Sequence, residues 1–308
     1  MFNSLLVPLD GSPLAEAALP YGLLLAERLG ARLLLLQAQP VAAAGEEGPA
    51  PGRRGEQGAA SPYLEGLQRQ ASARGLACKL AVVPGRPAEA ILDTAASARC
   101  DLIAMSTHGR SGFTRWVLGS VADQVVHAAS VPVLLIRPAE GGAGKSEPPA
   151  LKKIVVPLDG SSLAEAALAV AERLARALGL SLLLVQAVDP RIYSYLGPEV
   201  GISYQNINTV LERTAGDYLA LLAADAAKSG LPVESLVLHG LPGDSISDVA
   251  RRTPGSLVVM SSHGRSGLSR WALGSVAEKV VRDSSAPVLV LQSKLTGTPA
   301  SRQEGRAT

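Results

Sequence analysis

The sequence lacks the residues that secreted, metal-built or nucleic-acid-binding chains rely on. Cys78 and Cys100 are its two cysteines in 308 residues, too few for a disulfide framework or a cysteine-rich zinc site. Neither sign of charge dominates. With 29 basic and 27 acidic residues the formal charge is +2, without the concentrated basic excess of a nucleic-acid binder. No apolar run approaches the ~18 residues of a membrane span. The start, Met1-Phe2-Asn3-Ser4, has no basic n-region and reads as a strand by Leu5, so no secretory signal is expected and a reducing cytoplasm is the expected compartment. What remains is a globular composition, 47% hydrophobic and 18% charged. The length corresponds to two domains at ~150 residues each.

An internal repeat sets the organisation. Residues 5–30 match residues 154–179 at 16 of 26 positions with an offset of 149. Residues 101–126 match residues 256–281 at 17 of 26 positions with an offset of 155. The second copy therefore gains six residues between Gln186 and Gly240. The reading is a first domain over residues 1–138, a Gly- and Pro-bearing linker over 139–150, a second domain over 151–292 and a flexible tail over 293–308.

Each copy alternates apolar strand-like runs with helical ones. In the first, strands are expected at Ser4–Leu9, Arg32–Gln37, Ala77–Val83, Leu102–Ser106 and Val133–Ile136. Helices are expected at Pro13–Leu29, Tyr63–Arg74, Pro87–Ala98 and Ser120–Ala129, the first with Ser12 as N-cap and Gly30 as terminator. Near-continuous apolar strands imply a parallel sheet covered on both faces. The fold class is α/β: two tandem, doubly wound, five-stranded, Rossmann-like domains. In such a domain ligands bind at the carboxyl ends of the strands, where the strand order reverses.

Three segments fall there in each copy: Asp10-Gly11-Ser12 and Asp159-Gly160-Ser161 after strand one, Gln37-Ala38 and Gln186-Ala187 after strand two, and the turns from Ser106 to Gly119-Ser120 and from Ser261 to Gly274-Ser275 after strand four. A glycine-bearing turn lets backbone amides approach an anion, and a helix N-terminus adds unpaired N–H groups and a positive dipole end. Arg110 and Arg115 could add charge at the rim. Fold physics leaves a second reading open, in which Gly109, Gly112 and Gly119 only shape a tight loop. Likewise Asp10 reads either as a ligand contact or as the first residue of a helix-capping turn.

The bland reading is preferred for other conspicuous residues. His108 and His263 read as fixing loop geometry rather than as metal ligands, Trp116 and Trp271 as loop anchors, and the two cysteines as small buried hydrophobes. Gly45 to Pro62 reads as disordered. The second copy instead carries Tyr193, Tyr195 and Tyr204 there, a candidate flap.

Val-Pro-Leu-Asp-Gly-Ser, Ser-Thr-His-Gly-Arg-Ser-Gly with Leu-Gly-Ser-Val-Ala, and the closing Val-Pro-Val-Leu-Leu-Ile resemble the universal stress protein family. The resemblance covers both copies. Nucleotide-binding members carry Gly, two residues, Gly, nine residues, Gly, then Ser or Thr. Here Gly109 and Gly119-Ser120, and Gly264 and Gly274-Ser275, match; the first glycine is Ser106 in one copy and Ser261 in the other. The resemblance implies a bound adenine nucleotide, ATP or AMP or ADP, with Mg²⁺ as a candidate companion. The implied contacts are Pro8, Asp10, Ala38, Ser106, His108, Gly109, Arg110, Gly112, Gly119, Ser120 and Val121. In the second copy they are Pro157, Asp159, Ala187, Ser261, His263, Gly264, Arg265, Gly267, Gly274, Ser275 and Val276. Asp10 and Asp159 would lie against the adenosine, and the backbone of Ala38 and Ala187 would read the adenine edge.

The resemblance also implies that last strands pair across a two-fold axis. In a tandem chain this pairing can be intramolecular, leaving homodimerisation open. The expected role is stress-response binding or signalling without a catalytic residue. A nucleotide-free scaffold working through protein partners and a slow ATPase stay as alternatives. The P-loop, dinucleotide and nucleophile-elbow motifs are missing, and neither nucleic acid nor membrane is an expected partner.

Overall fold

The computed structural model describes residues 1–39, 61–109, 118–138, 150–189, 191, 204–264 and 273–292. The linker after Pro138, the tail, Gly45–Ala60, Arg110, Gly112, Arg115, Trp116, Arg265, Gly267, Trp271, Tyr193 and Tyr195, all read above from the sequence, lie outside the described residues, as does the side chain of Tyr204.

The first half runs β1 (Ser4–Pro8), α1 (Pro13–Glu16), α2 (Leu19–Leu29), β2 (Arg32–Gln39), α3 (Pro62–Ala73), β3 (Cys78–Pro84), α4 (Pro87–Ser97), β4 (Leu102–Ser106), α5 (Ser120–Ala128) and β5 (Val133–Ile136). The second half runs β6 (Lys153–Pro157), α6 (Ser162–Leu178), β7 (Ser181–Val188), α7 (Tyr204–Ala227), β8 (Val233–His239), α8 (Pro242–Arg252), β9 (Ser256–Ser261), α9 (Ser275–Asp283) and β10 (Val288–Leu291).

One expected helix is broken. The sequence predicts continuity over Pro13–Leu29, but the first half divides it into α1 and α2, whereas α6 is unbroken. Pro20 supplies the reason. It has no amide hydrogen and its ring collides with the carbonyl four residues back, so it is tolerated only near a helix start. Its counterpart in α6 is Ala169, an excellent helix former.

All strands join one ten-stranded sheet in the order β3-β2-β1-β4-β5-β10-β9-β6-β7-β8. Within each half neighbouring strands are parallel. At the centre β5 and β10 pair antiparallel, with Leu134 opposite Leu289 and Leu135 opposite Val288. The register is symmetric, with Val133 opposite Val290 and Leu135 opposite Val288, as for two copies of one strand related by a two-fold axis normal to the sheet. The pairing also closes two sheet edges at once. Side-chain bonds straddle it: Gln292 Nε2 donates to the Val126 carbonyl at 2.9 Å, and Arg137 Nη1 donates to the Arg282 carbonyl at 2.8 Å.

Alternation along the strands sorts the side chains into two apolar layers. Leu5, Val7, Leu33 and Leu35 face the layer under α2, with Ile154, Val156, Leu182 and Leu184 on its far side. Leu6, Leu36, Ile103 and Met105 face the opposite layer, which continues to Val155, Val258 and Met260. Each layer thus runs through both halves. Burying one such side chain contributes roughly 1.5–3 kcal/mol.

Candidate functional site

In each half the chain moves outward from β1 to β2 and β3, then crosses back to β4 on the other side of β1. The crevice lies between the carboxyl ends of β1 and β4, and of β6 and β9 in the second half. Three loops converge there, as the sequence predicted.

After β1 the chain turns at Asp10-Gly11-Ser12. The Asp10 carboxylate accepts from the Ser12 amide at 2.8 Å, and Gly11 has φ +80°. Ser12 Oγ then accepts from the Ala15 amide at 3.2 Å and caps α1. The second half repeats this. Asp159 Oδ1 accepts from the Ser161 amide at 3.0 Å and from Ser161 Oγ at 2.6 Å, and Ser161 caps α6. The capping turn therefore exists, and the same carboxylates line the crevice. The two readings of Asp10 are compatible.

Glycine in the turn after β4 has a physical reason that the sequence did not disclose. A β-carbon on Gly109 would stand 2.8 Å from Asp10 Oδ2, and one on Gly264 would overlap Asp159 Oδ2. These glycines make room for the aspartates of the neighbouring loop. Gly119 has φ −59° and Gly274 φ −63°, so neither needs left-handed backbone. Each is required by close approach: a β-carbon would lie 2.8 Å from the Thr107 carbonyl oxygen in one case and 3.0 Å from that of Ser262 in the other.

One part of the expected cradle changes. The amides of Gly119 and Gly274 are committed, donating to the carbonyls of Thr107 at 2.9 Å and Ser262 at 2.8 Å. The first intrahelical bonds run from Asp123 to Gly119 and from Glu278 to Gly274. The amides that the helix leaves over are those of the next three residues, from Ser120 and Ser275 onward. Among the described residues no side chain caps α5 or α9.

Ser106 and Ser261 end their strands, paired to Ile136 and Leu291. Neither has positive φ, so serine fits where the family pattern has glycine. Both are buried. The Ser106 hydroxyl accepts from the His108 amide at 3.2 Å, while Ser261 Oγ donates to the His263 carbonyl at 2.6 Å. Nδ1 of His108 pairs with Thr107 Oγ1 at 2.9 Å and that of His263 with Ser262 Oγ at 3.1 Å. Their Nε2 atoms are buried and have no hydrogen-bond partner among the described residues. Among the described residues no three His, Cys, Asp or Glu side chains gather to hold a metal ion.

The crevice is a cavity of about 280 Å³ in the second half and about 130 Å³ in the first. Pro157, Asp159, Ala187, Ser261, His263, Gly264, Gly274, Ser275 and Val276 line the larger one. Pro8, Asp10, Ala38, Ser106, Gly109 and Val121 line the smaller, while His108, Gly119 and Ser120 stand in the turn beside it. Sequence reasoning missed the wall from the helix after the third strand: Pro87 and Ile91 in one half, Pro242 and Ile246 in the other. Both residue types recur at the 155-residue offset, and that recurrence was the available signal.

A tyrosine joins this end of each half from the other face of the sheet. Tyr218 Oη donates to Glu165 Oε1 at 3.1 Å, and Tyr63 is the equivalent residue. Burial pushes both phenols above their ordinary range, and Glu165 and Glu16 add to it.

The family model described as "Universal stress protein family" matches residues 1–137 and again 150–292. The chain belongs to the universal stress protein family. It is similar to a universal stress protein of Methanocaldococcus jannaschii, 30% identical over 46% of this chain and 82% of that one. A universal stress protein of Mycobacterium tuberculosis is 30% identical over 63% of this chain and 62% of its own length. Among solved structures, a universal stress protein from Archaeoglobus fulgidus aligns over 94% of this chain and 96% of its own, with TM-score 0.62 and 21% identity. A protein from Pseudomonas aeruginosa whose structure carries the description "putative universal stress protein" aligns over 96% and 95%, with TM-score 0.67 and 18% identity. These two likenesses carry the tandem fold. No described helix is long and apolar enough to cross a membrane.

Proposed function

We propose that this universal stress protein holds an adenine nucleotide, ATP or its products ADP and AMP, in the crevice at the carboxyl ends of the strands, as a binding and signalling protein. One observation carries the reading. The cavity lies at the switch point of a doubly wound sheet, between an aspartate-bearing loop and a helix N-terminus whose first-turn amides no described side chain caps. That site offers N–H donors and a positive dipole end to phosphate oxygens, and an apolar floor, including Val185, Ala187 and Met260, to a base.

The residues present fit such a group. The β-carbon positions that would fill the turn are vacated at Gly264 and Gly274, and His263, a lining residue, has a buried ring nitrogen with no hydrogen-bond partner among the described residues. In this reading Ser275 and its neighbours orient the phosphates, Ala187 presents backbone to the base, and Asp159 keeps the loop closed beside the adenosine. Magnesium would arrive with the nucleotide and balance charge on its phosphates. The role assigned is retention, not turnover. Binding to the folded state alone stabilises it by mass action, which couples nucleotide supply to the protein's persistence.

Mass spectrometry of protein purified gently without added nucleotide tests the reading, backed by calorimetric titration with ATP. Co-purifying adenine nucleotide, or saturable binding of one or two equivalents, is the expected result. No retained nucleotide and no heat of binding at millimolar ATP would leave the nucleotide-free scaffold. A single-turnover assay separates retention from slow hydrolysis.

A further inference from the structure

Resting on the nucleotide reading, we propose that the second half is the principal nucleotide site and that Lys279 is the positioning residue that sets its cavity. The two halves share most lining residues, yet their cavities are about 280 and 130 Å³. The larger is near the lower end of small-ligand pockets, ~300 Å³, and the smaller is well below it.

The helices that wall the cavity differ between the halves by a coupled set of substitutions. In the second half Lys279 on α9 bridges two carboxylates, Asp283 at 2.7 Å on its own helix and Asp244 at 3.1 Å on the first turn of α8. Its aliphatic stem lies directly on Gly243. A β-carbon there would come within 2.6 Å of Lys279 Cγ and 2.8 Å of its Cβ. The neighbours of this contact, Pro242 on one side and Ser275, Val276 and Ala277 on the other, are lining residues. The bridge therefore ties the two walls together, and Gly243 lets them approach closely.

The first half lacks three of its four parts. Ala88 replaces Gly243, Gln124 replaces Lys279 and Ala128 replaces Asp283. Glu89, in the place of Asp244, pairs instead with Arg86 on its own helix at 3.6 Å. A second replacement works in the same direction: Leu36 stands in the lining where the second half has Val185. The two carboxylates also raise the Lys279 pKa, so the bridge stays charged at neutral pH. Because the ammonium is occupied by two carboxylates, its effect on a ligand runs through wall spacing and not through direct charge pairing.

The test is calorimetric titration of the full chain with ATP and, separately, with uncharged adenosine. Gly274→Val should remove most nucleotide binding and Gly119→Val little of it. Lys279→Met should weaken both ligands about fivefold, the scale of a modest coupling between sites, with Lys279→Arg restoring most of the loss and the melting temperature unchanged. The gain-of-function arm moves the set into the first half. Ala88→Gly, Gln124→Lys and Ala128→Asp together, in the Gly274→Val background, should raise binding there. Several results overturn the proposal. One is loss of binding in Gly119→Val but not in Gly274→Val. Others are unchanged affinity in Lys279→Met, or a loss confined to ATP, which would make Lys279 a charge and not a spacer. If the parent chain binds neither ligand, the nucleotide reading itself falls and this inference with it.

Discussion

The Gly274 amide donates to the Ser262 carbonyl at 2.8 Å, and a β-carbon on Gly274 would stand 3.0 Å from that same oxygen. The start of α9 is thus pinned to the end of β9 by one bond, across a gap that only glycine leaves open. Gly119 and Thr107 repeat the arrangement in the first half at 2.9 and 2.8 Å. Since both glycines have ordinary negative φ, replacing them is a steric change and not a conformational one. Valine at either position should cost about 1–3 kcal/mol through overpacking and tilt the helix start off the turn. The expected outcome is a folded protein, checked by circular dichroism and chemical denaturation, with nucleotide retention lost from the substituted half. Retention at wild-type affinity in the Gly119→Val, Gly274→Val double variant would refute the site assignment.

Pro20 and Ala169 give the clearest contrast between the halves. The proline sits where α2 begins and divides the first helix, while the alanine lies on the exposed side of an unbroken α6. Ala169→Pro would remove an interior hydrogen bond and press its ring on the carbonyl of Glu165. A loss of about 3 kcal/mol is expected, read as a lower denaturation midpoint. Pro20→Ala has no equivalent penalty and should be close to neutral. A fully tolerated Ala169→Pro would mean that α6 divides as readily as its partner.

Much of this architecture was legible because the chain states its pattern twice. Two parallel copies, their strand-end loops and the Asp-Gly-Ser turns followed from periodicity, glycine positions and the repeat offsets. Two kinds of feature were not legible. The break at Pro20 was hidden by the strong helical pattern around it. The reasons for Gly109 and Gly119 lay in long-range contacts, with Asp10 and with the Thr107 carbonyl, which no local rule encodes. The same holds for Pro87 and Ile91, brought to the crevice by the fold alone.

The central seam should be sensitive to Gln292. Its amide nitrogen donates to the Val126 carbonyl at 2.9 Å from a buried position in the opposite half. Gln292→Ala leaves that carbonyl without this donor and should destabilise by about 1–3 kcal/mol. Gln292→Glu should cost more, since a carboxylate cannot donate to a carbonyl. Parent-like stability of both variants in urea would argue that the bond contributes nothing to joining the halves.

Alkaline stability provides a separate check on burial. Burial lifts the Cys78 thiol from 9.0 to about 11, because the thiolate is disfavoured away from water. A folded-state pKa above the unfolded value contributes stability that is complete below pH 9.0 and is lost as pH rises through about 11. The tyrosines at 63 and 218 are raised in the same direction, so they extend the loss to higher pH. Denaturation midpoints measured from pH 8 upward should therefore fall beyond pH 9. Cys78→Ser removes an ionisable group from the folded protein, so its midpoint should decline less steeply across that window than the parent's. At neutral pH the thiol should react slowly with iodoacetamide, because little of it is thiolate. Rapid alkylation of Cys78 at pH 7, without unfolding, would contradict the placement of its side chain against the layer under α2.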